Sequence, residues 1–273
     1  MVFSTSVALG STELAYFASA MGYMAFAASG RATWRRVAVG LCLAGLALHS
    51  GVLLQRIWQA GRPPFSNMYE TLLFFSWVLV LSSLWVERRY GLPQLGAFSL
   101  PLAALVLATT SLISAEIQPL LPALKSNWLL AHVVACFVSY TAFALACGTS
   151  GLYLLLRYAP GGAWRARWTG AATLDTLDAL TYRLITFGFP LLTIGIVTGA
   201  VWADQCWGRY WSWDPKETWS LVTWLVYGVC LHLRLVASWR GPAGAVAAIA
   251  GFLSVVFTYY GVNYLFVGLH DYA

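Results

Sequence analysis

The sequence has 273 residues, of which 60% are hydrophobic and only 10% are charged. Soluble domains carry about 25% charged residues, so this chain has too few charges to solvate a globule of its size. Apolar stretches near the roughly 20 residues that cross a bilayer recur along its whole length. We therefore predict an integral protein of a lipid bilayer. In such a protein the positive residues behind the net charge of +6 indicate how the chain is oriented in the membrane, and we expect no nucleic-acid partner.

Eight apolar segments predict an all-α polytopic protein with about eight transmembrane helices, forming a single domain over residues 1–273. The segments are at about 8–29, 37–55, 68–87, 95–115, 128–156, 183–203, 216–238 and 243–267. The first is the least apolar, because it contains Glu13 and many small residues. It lacks a basic n-region and a cleavage site, so we expect it to be retained. Residues 171–182 predict a short amphipathic helix at the membrane interface.

The sixteen Lys and Arg residues are distributed unevenly between the two sets of loops. One set has eleven: Arg31, Arg35, Arg36, Arg88, Arg89, Arg157, Arg165, Arg167, Arg183, Arg234 and Arg240. The other has five: Arg56, Arg62, Lys125, Arg209 and Lys216. Cytoplasmic loops carry the excess of positive charge, so the first set is predicted to be cytoplasmic. Both termini then face the outer side of the membrane.

The predicted outer loop Trp202–Trp219 contains five tryptophans and one tyrosine, and we call it the tryptophan loop. Tryptophan is common at membrane interfaces, but anchoring explains one or two at each helix end and not a cluster in one short connection. The loop ends in a helix start, with Asp214 as N-cap, Pro215 at N1 and Glu217 at N3, which is a capping-box pattern.

The remainder of the tryptophan loop offers aromatic faces beside fixed positive charges. The residues concerned are Trp207, Tyr210, Trp211, Trp213, Arg209 and Lys216. Aromatic faces next to cations suit a flat, apolar ligand that carries carboxylates. A porphyrin with two propionates fits this description, so haem b is the predicted ligand.

The chain has four histidines, and two of them are predicted at the level of the tryptophan loop. His132 follows Trp128 by four residues, roughly 6 Å below the outer surface at 1.5 Å per residue, and His270 follows the last span. Two histidines beside an aromatic surface are what axial ligation of haem iron requires. His232 is roughly 26 Å below Pro215, where an intramembrane histidine is a functional candidate. For His49 a structural role in the core is favoured.

Three segments resemble a known family. The string from Trp207 to Trp219 is similar to the WWD signature of haem-handling proteins in cytochrome c biogenesis. The segment from Pro64 to Glu70 resembles a second motif of the CcsA (ResC) branch, and the ending from Asn263 to Ala273 resembles that branch's C-terminus. The similarity therefore runs from the second span to the end of the chain.

This resemblance implies a function. The family carries haem to the outer face of the membrane and, with a partner membrane protein of the CcsB (ResB) type, joins haem vinyl groups to the CxxCH thiols of apocytochrome c. It implies that His132 and His270 ligate haem iron at the outer face. It implies that His232 ligates haem inside the membrane, with its other axial ligand supplied by the partner. The membrane would be a bacterial cytoplasmic membrane or a thylakoid membrane.

Other functions are kept as alternatives. A CcmC-like protein would hand haem to a chaperone, but such proteins usually have fewer spans. A non-synthase transmembrane haem-binding or electron-transfer protein is a second alternative. Electron transfer needs paired histidines at equal depth, whereas His49 and His232 differ by roughly 9 Å. A solute transporter would show a broken helix or polar residues at midplane. No general base for catalysis stands out, so no catalytic residue is assigned, and synthase activity is expected only in complex with the partner.

Overall fold

The computed structural model describes residues 5–158 and 173–268, which form helices joined by loops and contain no strand. The α-helices are α1 Thr5–Ser29, α2 Ala32–Ala60, α3 Met68–Tyr90, α4 Gly96–Thr109, α5 Asn127–Tyr158, α6 Leu174–Trp207, α7 Pro215–Val236, α8 Pro242–Val256 and α9 Val262–Leu265. Single turns of 3-10 helix lie at Pro93–Leu95, Thr110–Leu112 and Pro122–Leu124, and a π-turn, Phe257–Gly261, joins α8 to α9. The predicted all-α fold is confirmed.

Seven helical segments in the described part of the chain are long and apolar enough to span a membrane. They are Ala32–Ala60, Met68–Tyr90, Pro93–Leu112, Asn127–Tyr158, Leu174–Trp207, Pro215–Val236 and Pro242–Leu265. The chain is therefore an integral membrane protein. The remaining predicted span, at about 8–29, corresponds to α1. This segment forms a helix but falls outside the set of seven, since Glu13 and several serines, threonines and glycines dilute its apolar residues. The sidedness of the termini stays a prediction.

The predicted interfacial helix at 171–182 is not a separate element within the described residues. From Leu174 onward it is the first part of α6, which continues without interruption to Trp207 and contains Pro190. The residues before 173 in this segment lie outside the described residues. A continuous 34-residue helix is longer than a bilayer requires, so its first turns supply the polar positions that suggested an interfacial helix.

The chain divides into two compact units, and the first comprises the described residues of Met1–Pro64, Met68–Ile117 and Leu155–Leu174. In this unit α1 and α2 approach closely where Gly22 meets Ala38, and the Ser19 hydroxyl donates to the Ala38 carbonyl at 2.7 Å. Small residues allow helix backbones to come this close in membranes. Tyr23 joins α1 to α3, because its hydroxyl donates to buried Glu87 at 2.5 Å.

The first unit also contains a buried ion cluster. Glu70, at the start of α3, is fully buried and pairs with Arg56 at 3.1 Å and Arg62 at 2.9 Å. The Arg56 guanidinium also donates to the carbonyls of Ala115 and Glu116. The cluster thereby ties α2, α3 and the segment after α4 together.

The second unit comprises the described residues of Phe65–Asn67, Gln118–Leu154 and Asp175–Ala273. Its core contains Phe143 of α5 stacked on Tyr227 of α7, with ring centroids 3.6 Å apart. Gly188 of α6 lies against the Phe143 ring, and Gly251 of α8 lies against the Tyr227 ring. Four helices therefore pack around one aromatic pair, and this packing positions the two ends of the tryptophan loop.

Candidate functional site

The first six residues of the tryptophan loop, 202–207, form the end of α6 and are anchored in the core of the second unit. Trp202 is almost fully buried, and its indole N–H donates to the Ala123 carbonyl at 2.8 Å. Trp207, the last residue of α6, packs edge-on against Trp202 with ring centroids 5.1 Å apart. Gly208 then ends the helix with φ +69°, a left-handed conformation that glycine adopts most easily. Trp207 is thus fixed at the boundary between helix and loop.

The end of the loop is fastened by the predicted capping box, which is confirmed. The Asp214 side chain accepts a hydrogen bond from the Lys216 backbone N–H at 3.0 Å. Glu217 Oε2 accepts from the Asp214 N–H at 3.2 Å, and also from the Ser212 N–H at 2.7 Å. One carboxylate therefore holds the backbone on both sides of Trp213.

Trp213 adopts a strained backbone conformation between those two hydrogen bonds, with φ +58°. A non-glycine residue in this region costs of order 1–3 kcal/mol and persists only where the surroundings enforce it. The residue is 68% exposed, and its indole lies perpendicular to the Trp211 ring, with centroids 5.6 Å apart. Tyr210 and Arg209 are also exposed, while Lys216 is half-buried in the first turn of α7. The loop thus presents aromatic rings at right angles, with cations at its edge.

His132 lies in the second turn of α5 and is held by α6. Its Nδ1 is 2.7 Å from the carbonyl oxygen of Gly195. A carbonyl can only accept, so Nδ1 carries the hydrogen and donates it. In a neutral imidazole the lone pair is then on Nε2, which is the arrangement found in metal-binding histidines whose other nitrogen is bonded to the protein.

His270 lies outside the described residues. The last described residue, Gly268, lies against the Asp214 carboxylate. Asp214, Pro215 and Lys216 line a small cavity with Gly268 and with residues of the segment from Val262 to Phe266. The chain therefore passes the capped end of the tryptophan loop two residues before His270.

The other two histidines have different surroundings. His232 lies near the C-terminal end of α7, away from the tryptophan loop, and its side chain is exposed. Leu225, Val229 and Val236 are exposed on the same helix at helical spacing. His49 is fully buried in the first unit, with Nδ1 3.1 Å from the Tyr16 hydroxyl. A structural role for His49 stays a prediction.

Two features of the site were absent from the sequence predictions. One is the bond from Ser212 to Glu217, which adds a function to a residue predicted only as a cap. The other is the close contact of α5 with Gly195 and Gly199 of α6. The spacing Gly195-x-x-x-Gly199 is a sequence signal for close helix approach, but it does not say which partner residue packs there.

Comparisons with known proteins give a consistent result. The family model for cytochrome C assembly proteins matches residues 65–270. The cytochrome c biogenesis protein CcsA of Guillardia theta is 41% identical over 242 residues, covering 81% of this chain and 80% of that protein. CcsA of Prochlorococcus marinus (strain NATL2A) is 36% identical over 300 residues, covering 99% and 95%.

A solved structure with a similar fold is available for comparison. The cytochrome c haem lyase CcmF matches with a TM-score of 0.68 at 15% sequence identity. The match covers 95% of this chain but only 48% of CcmF, so the chain spans about half the length of that protein. At 15% sequence identity the match shows a similar helical fold and nothing more.

Proposed function

Because the chain belongs to the cytochrome c assembly family and is a CcsA-type cytochrome c biogenesis protein, we propose that it presents haem b for covalent attachment to apocytochrome c on the outer face of the membrane. The observation that carries this proposal is the bond from His132 Nδ1 to the Gly195 carbonyl. It leaves Nε2 as the nitrogen that can ligate iron.

In the proposed site His132 and His270 would ligate the haem iron. Tyr210, Trp211 and Trp213 would contact the porphyrin, and Arg209 and Lys216 would pair with its propionates. The loop's aromatic rings and cations support this arrangement, because a porphyrin has a large apolar face and two carboxylates at one edge. Trp207 is anchored on Trp202 and would hold the base of the site.

The attachment reaction needs orientation more than acid or base chemistry. Each cysteine S–H of the CxxCH motif adds across a haem vinyl C=C bond: sulfur bonds to one vinyl carbon, and the hydrogen goes to the other. The addition involves no net oxidation or reduction. Holding porphyrin by two histidines and an aromatic loop leaves the vinyl edge free, and proximity can supply a large part of the rate.

A second haem position is proposed at His232. Its side chain is exposed among apolar residues of α7, and a polar N–H facing hydrocarbon is costly unless it is bonded. We propose that a CcsB-type partner covers this face and supplies the other axial ligand. The membrane would be a bacterial cytoplasmic membrane or a thylakoid membrane.

The test uses the chain co-expressed with a CcsB-type partner and a CxxCH reporter, scored by covalent haem on the reporter. We expect His132→Ala to abolish attachment and to make the b-type spectrum of the purified complex depend on added imidazole. His232→Ala should lower haem occupancy without unfolding the complex. Unchanged spectra in His132→Ala would contradict the ligand assignment, and full attachment by the chain without its partner would contradict the partner.

A further inference from the structure

We propose that Gly195 and Gly199 of α6 are positioning residues for haem: together they fix the tautomer and the orientation of His132. This inference rests on the proposed role of His132 as an iron ligand. It adds that the ligand depends on two glycines of another helix, which are 63 residues or more along the chain from it.

Gly199 provides the space that the His132 ring occupies. A Cβ added at Gly199 would be 2.5 Å from His132 Nδ1 and 2.9 Å from Cε1. Contacts this short are prohibited, so even alanine at this position forces the ring or the helix to move. The contact is with the imidazole itself, so the ring can occupy this position only because residue 199 has no side chain.

Gly195 brings the backbone of α6 close enough to bond the ring. A Cβ added at Gly195 would be 2.5 Å from Cys136 Sγ and 3.3 Å from the Cys136 backbone nitrogen. Cys136 is one turn after His132 on α5. Because α5 and α6 are this close, the Gly195 carbonyl is within 2.7 Å of His132 Nδ1. A side chain at 195 would widen the gap and weaken that bond.

The same carbonyl has a second side-chain donor. The Thr198 hydroxyl lies 3.1 Å from Gly195 O and 2.7 Å from Ile194 O. It therefore competes with the His132 N–H for the Gly195 oxygen. A stronger hydrogen bond at Nδ1 makes Nε2 a better electron-pair donor to iron. Hydrogen bonding of this kind adjusts the redox potential of the ligated metal. Thr198 thus gives a means of changing the bond without changing the ligand.

The first experiment is a double-mutant cycle on haem occupancy, measured from the b-type spectrum of the purified complex. Gly199→Ala should lower occupancy at the outer site to the level of His132→Ala. In the His132→Ala background with added imidazole, Gly199→Ala should have no further effect, since the ring that it displaces is gone. Gly151→Ala on α5 is the matched control, because a Cβ there meets no atom within 4 Å.

The second experiment does not depend on how well Gly199→Ala folds. Thr198→Val has nearly the same shape but removes the competing hydroxyl, so the His132 N–H bond to Gly195 should strengthen. The midpoint potential of the bound haem should fall, because a stronger nitrogen donor favours ferric iron. Thr109→Val is the control, since its hydroxyl donates to a helix carbonyl of α4 in the first unit, and it should leave the potential unchanged.

The outcomes separate this inference from the proposed function. If His132→Ala keeps the wild-type spectrum, the ligand assignment itself fails. If His132→Ala loses haem but Gly199→Ala retains it, the ligand stands and the positioning role is overturned. An equal loss from Gly199→Ala in both backgrounds would also overturn it, because the glycine would then act through helix packing alone. So would an unchanged potential in Thr198→Val.

Discussion

The two units place the same residue types in similar helical positions and give them different partners. Glu70 and Glu217 are each the third residue of a helix. Glu70 is fully buried between two arginines, whereas Glu217 is half-buried and accepts from backbone N–H groups of the tryptophan loop. The first carboxylate joins helices to one another, and the second shapes a loop.

The histidines differ in the same way. His49 and His132 are each bonded through Nδ1 to a neighbouring helix. The Tyr16 hydroxyl can donate or accept, so it leaves the tautomer of His49 open. The Gly195 carbonyl only accepts, so it determines the tautomer of His132 and makes Nε2 the free nitrogen. The bonded partner therefore fixes the tautomer of His132 and leaves that of His49 undetermined.

The strongest test of this comparison replaces both carboxylates in the same way. Glu70→Gln removes the negative charge with which Arg56 and Arg62 pair, and breaking a buried ion pair costs about 3–5 kcal/mol. Glu217→Gln keeps one amide oxygen as an acceptor, so the loss should be about 0.5–2 kcal/mol, as for other cap changes. Thermal unfolding of the purified protein measures both.

Haem binding should reverse the order of the two variants. Folded Glu70→Gln protein should bind haem with the wild-type spectrum, whereas folded Glu217→Gln protein should bind haem more weakly because Trp213 is no longer held on both sides. Equal stability losses in the two variants would remove the distinction between a helix cross-link and a loop support.

A smaller effect is expected at His49. Tyr16→Phe removes the hydroxyl bonded to His49 Nδ1 and leaves a buried polar atom without that partner, at a cost of about 1–3 kcal/mol. The haem spectrum and the covalent attachment of haem to the reporter should not change. A changed spectrum would mean that His49 takes part in haem binding and would place a functional histidine in the first unit.

Sequence reasoning succeeded where the determinants are local. The cap at Asp214 and Glu217 could be predicted because an N-cap, a proline and an N3 carboxylate lie within four residues. Most spans could be predicted from apolar length, and the exception, α1, is the segment that contains Glu13. The bond from His132 to Gly195 could not be predicted, since the two residues are 63 positions apart in the chain and the bond depends on how their helices cross. The φ of Trp213 also could not, because tryptophan does not favour it.

The smallest predicted effect concerns that strained tryptophan. Trp213→Gly and Trp213→Ala both remove the indole, so both should weaken haem binding to the same extent. Of these two residues only glycine adopts φ +58° without strain, because a side chain there costs roughly 1–2 kcal/mol. The glycine variant should therefore be the more stable of the two by about 1 kcal/mol, after the greater entropy lost by glycine on folding is subtracted.

Tyr210 offers the matched control. It is exposed in the same loop, but it is not among the residues with positive φ. Glycine should there be less stable than alanine, by about 0.5–1 kcal/mol. Thermal unfolding measures the order of the two variants at each position. Opposite orders would show that Glu217, bonded to the backbone on both sides of Trp213, holds this residue in a conformation that tryptophan does not favour. The same order at both would mean that Trp213 is free to relax, and Glu217 would then be a helix cap alone.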